Sequence, residues 1–322
     1  MRVVVTGAGG FIGGVVARQL RARGDDVVAI VRDPARAEDL RDLGVELAQG
    51  DLSEVDPIVE LLPGADALVH MAGLYKIGIP VSERPAMLDA NVGTTTRVLD
   101  AAARAGTPRI VYTSTANVLG NTHGEVVGEA HVRDLSEGFY SYYDLTKYQA
   151  HELVKARIAD GAPILIAMPG GVYGPNDHSE AGAVLAQAHA GKLRYIALGD
   201  IGLSWTYVDD VADGIVRILD QGRLGESYIL SGPSGLFKDA IGAAAIAGAR
   251  RPPRLALPTG LLRLFIPVSR RFGAVAGLPA NMAETIKSGD GVTYWASAAK
   301  AENELGFHAR DLASGLRAMF NV

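Results

Sequence analysis

The 322-residue chain has no cysteine. Disulfides, zinc–thiolate sites and thiol nucleophiles are therefore excluded. Long apolar runs are missing too: no uncharged stretch approaches the ~20 residues of a membrane-spanning helix, so no span is expected. The N-terminus, MRVVVTGAGG, enters a strand-and-turn pattern at once. It lacks the apolar region and cleavage site of a secretory signal, and a cytoplasmic protein is expected. Excess positive charge is also absent. At a net charge of −5, no broad nucleic-acid surface is expected. The arginines of ARRPPR (249–254) and SRRFG (269–273) read as solvated faces. No repeat of domain-building period stands out.

What is present is ordinary for a globular enzyme-sized chain, with 48% hydrophobic and 21% charged residues. Short apolar runs alternate with helical patterns. VVVT (3–6) precedes a helix around 11–23, VVAIV (27–31) one near 35–43, and VELA (45–48) one near 55–62. ALVHMA (67–72) precedes a long helix near 84–105, RIVYTS (109–114) one near 140–159, and PILIAM (163–168) continues the series. Uninterrupted apolar strands between helices predict a parallel sheet covered on both faces. The fold class is α/β, a doubly wound Rossmann sheet over residues 1–170. Residues 171–322 are read mainly as a smaller substrate-covering lobe, with some segments returning to the first domain.

TGAGGFIG (6–13) lies between the first strand and its helix. Gly7 permits a tight turn, Gly10 lets a pyrophosphate approach the backbone, and Gly13 lets the helix pack closely. The helix start, from Phe11 and Ile12, offers unpaired N–H groups and a positive dipole end. Strand, glycines and helix together predict dinucleotide binding. The second strand ends in VRDPAR, where an NAD-preferring site carries an acidic residue. Arg32 stands there instead, with Arg36 close behind and Asp33 one step later. An arginine can pair with a ribose 2′-phosphate, so NADP(H) is favoured over NAD(H). In GDL (50–52), Asp51 and Leu52 fall at the adenine end, where Asp51 either meets the adenine amine or caps a helix.

Tyr143 in SYYDLTK stands four residues before Lys147, on the same helix face. Tyr142 has Thr146 at that spacing and points elsewhere. A free phenol, with a pKa of about 10, is a slow acid at neutral pH. A nearby ammonium is expected to lower that pKa. Such a tyrosine can give a proton to a carbonyl oxygen while a hydride reaches its carbon. A hydroxyl on the preceding strand end, TST (113–115), can hold the same oxygen.

These residues resemble the extended short-chain dehydrogenase/reductases, which carry TGxxGxxG, a Ser/Thr-rich strand end and YxxxK. The resemblance continues through HMAG (70–73), NVGTT (91–95), MPGGVYGPND (168–177), WTYVDDVADGI (205–215) and SAAKAENELGF (297–307). It implies that Tyr143 is the acid/base and that Lys147 lowers its pKa and bonds the nicotinamide ribose. It places the catalytic hydroxyl at Thr115, or at Ser114 if the alignment slips by one. It puts Ala72 and Gly73 on the cofactor side, and Pro169 and Val172 against the nicotinamide through their backbones. Family habit makes a homodimer that pairs the helices near 84–105 and 140–159 one reading of their apolar residues, and packing on the sheet alone the other.

Departures from the pattern narrow the substrate. Leu203 stands where nucleotide-sugar enzymes carry a phosphate-clamping arginine, and Met168 replaces the arginine of R-P. A leucine cannot hold a phosphate. TAN replaces the acidic pair of a dehydratase. The expected small-molecule substrate is therefore fairly apolar, with Tyr75 and Asn117 as substrate-side residues and 258–279 as either a lid or a buried packing helix. The similarity is strongest to dihydroflavonol reductase-like and 3β-hydroxysteroid dehydrogenase-like proteins. A nucleotide-sugar epimerase with tightly bound NAD is the alternative, and a cofactor-sensing binding protein the third reading. No metal is implied.

Overall fold

In the computed structural model, residues 1–264, 266–267 and 280–322 are described. Most of the expected 258–279 lid, with the SRRFG cluster, lies outside them. Seven strands form the main sheet: β1 (Arg2–Thr6), β2 (Asp26–Val31), β3 (Glu46–Gln49), β4 (Ala67–His70), β5 (Ile110–Thr113), β6 (Ile164–Pro169) and β9 (Ser227–Leu230). Their order is β3-β2-β1-β4-β5-β6-β9, and every pair is parallel. The order reverses at β1, so a crevice opens beyond the carboxyl ends of β1 and β4.

The helices are α1 (Phe11–Ala22), α2 (Glu38–Asp42), α3 (Val55–Leu61), α4 (Arg84–Leu88), α5 (Thr94–Ala105), α6 (Tyr142–Ala159) and α7 (Glu180–His189). They continue as α8 (Val208–Gln221), α9 (Phe237–Ala247), α10 (Thr259–Arg263), α11 (Met282–Gly289), α12 (Ala299–Leu305) and α13 (Leu312–Phe320). On one sheet face, α1, α8 and α12 bury Leu20, Ile215 and Leu305 against Val3, Val5 and Val69. On the other, α3, α5 and α6 bury Ile58, Val98 and Val154 against Val4, Leu68 and Ile166. Leu20 and Leu68 are fully covered, each burial contributing roughly 2 kcal/mol.

The expected long helix near 84–105 is interrupted. A π-helical turn, Asp89–Gly93, joins α4 to α5 and carries Asn91 inward. Such turns widen the helix by one residue. Helix α6 begins where Ser141 Oγ accepts the Asp144 amide at 3.1 Å, a side-chain cap that sets Tyr143 in the first turn.

The smaller sheet joins β7 (Gly171–Tyr173), β8 (Gly202–Tyr207), β10 (Ser234–Leu236) and β11 (Thr293–Tyr294) around β8. Trp205, Tyr173 and Leu185 fill the core beneath it. The second half is not a separate block, because β9, α8 and α12 all belong to the main sheet and its helical layer.

Candidate active site

The glycine turn fits its expected role by exclusion. Gly7 has φ +76, and a Cβ there would lie 2.7 Å from the Ala72 amide nitrogen. Only glycine adopts that backbone and permits that approach. A Cβ on Gly13 would overlap the Gly7 carbonyl, so this glycine brings the helix against the turn itself. Gly10 caps α1 without a side chain. The first amides of α1 therefore carry no side-chain cap.

Other cofactor-side expectations separate. Arg32 is exposed just after β2, and its carbonyl accepts from Gln49. Asp33 caps the following 3₁₀ turn through the Ala35 amide. Asp51 Oδ1 accepts the Ser53 amide at 3.1 Å, so its carboxylate serves as a turn cap. The Leu52 carbonyl accepts Arg97 Nε at 2.7 Å. Ala72 and Gly73 follow β4 beside Gly7. Pro169 ends β6, and Val172 lies in β7, paired with Thr206.

At the carboxyl end of β5, Ser114 and Thr115 diverge. Ser114 Oγ is 2.9 Å from Nδ1 of buried His151. The Thr115 hydroxyl faces the Tyr143 phenol, whose pKa it acts to lower, and accepts the Asn117 amide at 3.3 Å. Asn117 is half-buried one turn on. Tyr143 is 9% exposed and packs with Ile79 and Met87, flanked by Ile77 and Tyr142. Tyr75 meets it edge-on, with ring centroids 4.8 Å apart at 88°.

The electrostatics correct one expectation. Lys147 was expected to pull the Tyr143 phenol below its ordinary pKa. Burial instead pushes that phenol well above it, reinforced by Tyr75, Tyr112 and Asp144 and opposed only by the Thr115 hydroxyl. Lys147 is directed elsewhere: Nζ donates to the Thr113 carbonyl at 3.0 Å and the Tyr112 hydroxyl at 3.3 Å. Burial lowers Lys147 itself to about 8. Tyr75 is 57% exposed as a residue, and its phenol is shifted upward, by desolvation on the side facing Tyr143 and then by the carboxylates of Glu180 and Asp177. Neither expected nucleotide-sugar position offers a cation. Met168 is buried in the core, and Leu203 lies on β8 opposite Gly235 and Tyr294.

The model of the NAD-dependent epimerase/dehydratase family matches residues 3–231. The chain belongs to this family. It is 29% identical over 279 residues to sterol demethylase protein B of Methylococcus capsulatus, covering 84% of this chain and 83% of that one. It is 30% identical over 232 residues to a 4-hydroxy-2-methyl-3-oxo-4-farnesyl-3,4-dihydroquinoline-1-oxide ketoreductase of Stigmatella aurantiaca, covering 72% and 68%. The crystal structure of gox2253 superposes with a TM-score of 0.85 at 30% identity, covering 99% of this chain and 96% of that one. Dihydroflavonol reductase-like and 3β-hydroxysteroid dehydrogenase-like proteins are also among the similar chains.

Within this family fold, several residues around the site escaped the sequence reading. Arg133 and Asp144 form a buried pair at the start of α6. Asn91 on the π turn holds the pocket wall, with Oδ1 accepting the Leu74 amide at 2.7 Å and Nδ2 donating to Leu74 O and Thr146 Oγ1. Glu284 on α11 accepts the Tyr142 amide at 3.0 Å and the Gly78 amide at 3.4 Å. His151 alone had a readable signal, because Tyr143, Lys147 and His151 repeat at intervals of four along one helix face. Among the described residues, no group of acidic or histidine side chains could hold a metal ion, and no helix is long and apolar enough to cross a membrane.

Proposed function

We propose that the chain is an NADP(H)-linked reductase of ketones or aldehydes, or the same enzyme run as an alcohol dehydrogenase, on a fairly apolar substrate. The observation that carries this reading is the surroundings of Tyr143, where Ile77, Ile79, Met87, Tyr142 and the Tyr75 ring wall the phenol, with Thr115 on its hydroxyl. An apolar wall with one hydroxyl pair suits a carbonyl carried on a hydrocarbon skeleton. Two of the similar proteins support it by name, the farnesyl-bearing ketoreductase and a 2-alkyl-3-oxoalkanoate reductase of Stenotrophomonas maltophilia, beside others that are dTDP-glucose 4,6-dehydratases.

The residues fit a nicotinamide cofactor. The free amides of α1 and the space conserved by Gly7 and Gly10 would take its pyrophosphate, and Arg32 its 2′-phosphate. Lys147 would bond the nicotinamide ribose, with Ala72, Gly73, Pro169 and Val172 lining the cleft. The bound cofactor supplies or accepts the hydride. The chain does the rest. Thr115 and Tyr143 hold the substrate oxygen, and Tyr143 passes its proton to that oxygen during reduction and takes it back during oxidation. The high phenol pKa in this apolar wall favours the protonated form that reduction needs. Tyr75 and Asn117 would meet the substrate skeleton.

The alternative is an epimerase that keeps NAD bound throughout turnover. Leu203 and buried Met168 oppose it, since neither can clamp a sugar-nucleotide diphosphate. Cofactor content of the purified protein separates the two. Stoichiometric NAD that does not exchange with added NADPH would overturn the reductase reading, and free exchange supports it. A homodimer through α5 and α6 belongs to the same proposal, and sedimentation should then give twice the 33.8 kDa chain mass.

A further inference from the structure

Thr6, His70 and Tyr112 stand in one row across three strands. The register places Thr6 beside His70 and His70 beside Tyr112. All three are buried, at 0%, 0% and 1% exposure, and face the layer of α5 and α6. Buried polar groups at that depth have to be satisfied by one another. Thr95 on α5 and Lys147 on α6 complete the set.

The direction of each bond follows from elementary donor counting. An ammonium only donates, so the Tyr112 hydroxyl accepts from Lys147 at 3.3 Å. Its own proton is thereby turned away from Lys147, toward the side where Thr95 and the His70 ring lie, the two ring centroids being 5.9 Å apart. Thr95 gives its proton to the Asn91 carbonyl at 2.7 Å. Its oxygen is thus an acceptor for His70 Nε2 at 3.2 Å, so the imidazole proton sits on Nε2. His70 Nδ1 must accept, and the Thr6 hydroxyl donates to it at 2.7 Å. The Thr6 oxygen closes the row by accepting the Met71 and Ala72 amides at 3.3 and 3.4 Å. The Ala72 amide is also the group that leaves no room for a Cβ on Gly7.

We infer that Tyr112, Thr95 and His70 are positioning residues: one branch of bonds, from Lys147 to Tyr112, and a second, from the backbone beside the glycine turn through Thr6 and His70, converge at Thr95, and together they hold Lys147 as an ammonium. The inference rests on the proposed reading of Lys147 as the partner of the nicotinamide ribose. It adds a coupling between the two halves of the cofactor site, with the ribose end linked through the sheet to the pyrophosphate end. The titratable groups around Lys147 are Tyr112 from β5, His70 from β4, and Tyr143 and His151 from α6. None of them is an anion at neutral pH, because burial holds His70 near 3 and His151 near 4 as neutral rings and keeps both phenols protonated. The hydroxyl of Tyr112 and the carbonyl of Thr113 are therefore the acceptors that stabilise the charge.

Two measurements on the full chain test this. Long-range ¹⁵N–¹H spectra of histidine-labelled protein should show His70 as the neutral Nε2–H tautomer down to pH 5. A proton on Nδ1, or a midpoint near 6.5, would overturn the row. The second is the pH dependence of NADPH binding by fluorescence. Wild-type affinity should fall above a limb near pH 8. Tyr112→Phe keeps the ring but removes the acceptor, so the limb should move down by about one pH unit, a tenfold change in the proton equilibrium of Lys147. Thr95→Val should move it the same way and Thr95→Ser should restore it. An unmoved limb in Tyr112→Phe, with thermal unfolding unchanged, overturns the role of the row. Lys147→Met should abolish the limb. If the limb survives in that variant, the assignment of Lys147 fails first, and the tautomer result still reports on the row separately.

Discussion

Arg133 and Asp144 face each other across two parallel hydrogen bonds of 2.6 Å, Nη1 to Oδ1 and Nη2 to Oδ2. Both side chains are nearly inaccessible, at 3% and 2% exposure. Arg133 also stacks over Phe139 and donates to the Gly138 carbonyl at 3.0 Å, and Asp144 accepts the Tyr140 amide at 3.0 Å. The pair clamps the 133–140 segment to the first turn of the helix that carries Tyr143. Arg133→Met strands a buried carboxylate, so chemical denaturation should show a loss of about 3–5 kcal/mol. The double variant Arg133→Met/Asp144→Leu should recover most of that loss. If the double variant is as unstable as the single, the buried charge is not the cause.

The two strand-end hydroxyls should separate by kinetics. Thr115→Val removes the hydroxyl that faces Tyr143 and should lower kcat by about 100-fold, with cofactor affinity retained. Ser114→Ala breaks the contact to His151 and should cost about 1 kcal/mol of stability while leaving kcat nearly unchanged. The reverse pattern would move the catalytic role to Ser114. Tyr143→Phe should lose at least as much kcat as Thr115→Val. An unchanged turnover in that variant would falsify the proposed chemistry.

Acid should destabilise the fold through two histidines. Burial lowers His70 to about 3 and His151 to about 4, with the Lys147 charge acting the same way on both. The unfolded rings titrate near 6.5. Between these values the unfolded chain binds protons that the native chain does not, so native stability is full above pH 6.5 and declines as pH falls below it. At pH 5 each ring should cost roughly 2 kcal/mol. His151→Gln should remove one of the two proton equivalents from the slope of stability against pH. An identical slope in that variant would show that His151 is not buried neutral.

Cofactor choice should hinge on Arg32. Arg32→Ala should weaken NADPH binding by about 10- to 100-fold, as expected for one charge-assisted contact, and leave NADH nearly unaffected. Equal losses for both cofactors would contradict a 2′-phosphate contact.

The sheet was legible in the sequence because parallel strands buried on both faces read as short, unbroken apolar runs, and VVVT, ALVH and IVYT are such runs. The glycine turn was legible because its residue type is forced by backbone geometry at Gly7. The break at Asp89–Gly93 was not, since a π turn adds one residue to a helical pattern without changing its composition. Asp51 as a turn cap and Asp51 as an adenine contact use the same residue type, so composition could not separate them. The Tyr143–Lys147 spacing correctly put both residues on one helix face. It could not show that Lys147 would spend two donors on β5, because those partners come from another element. Arg133 and Glu284 were hidden for the same reason, lying 11 and 142 positions from the α6 residues they hold.

Glu284 is met by donors from three distant stretches: the Gly78 amide, the Arg84 guanidinium and the Tyr142 amide. During synthesis these three emerge long before the carboxylate that gathers them. A nascent chain can therefore complete its glycine turn and most of its main sheet while the wall around Tyr143 is still unpinned. The wall around Tyr143 is thus pinned only after α11 has left the ribosome and folded back onto Gly78, Arg84 and Tyr142.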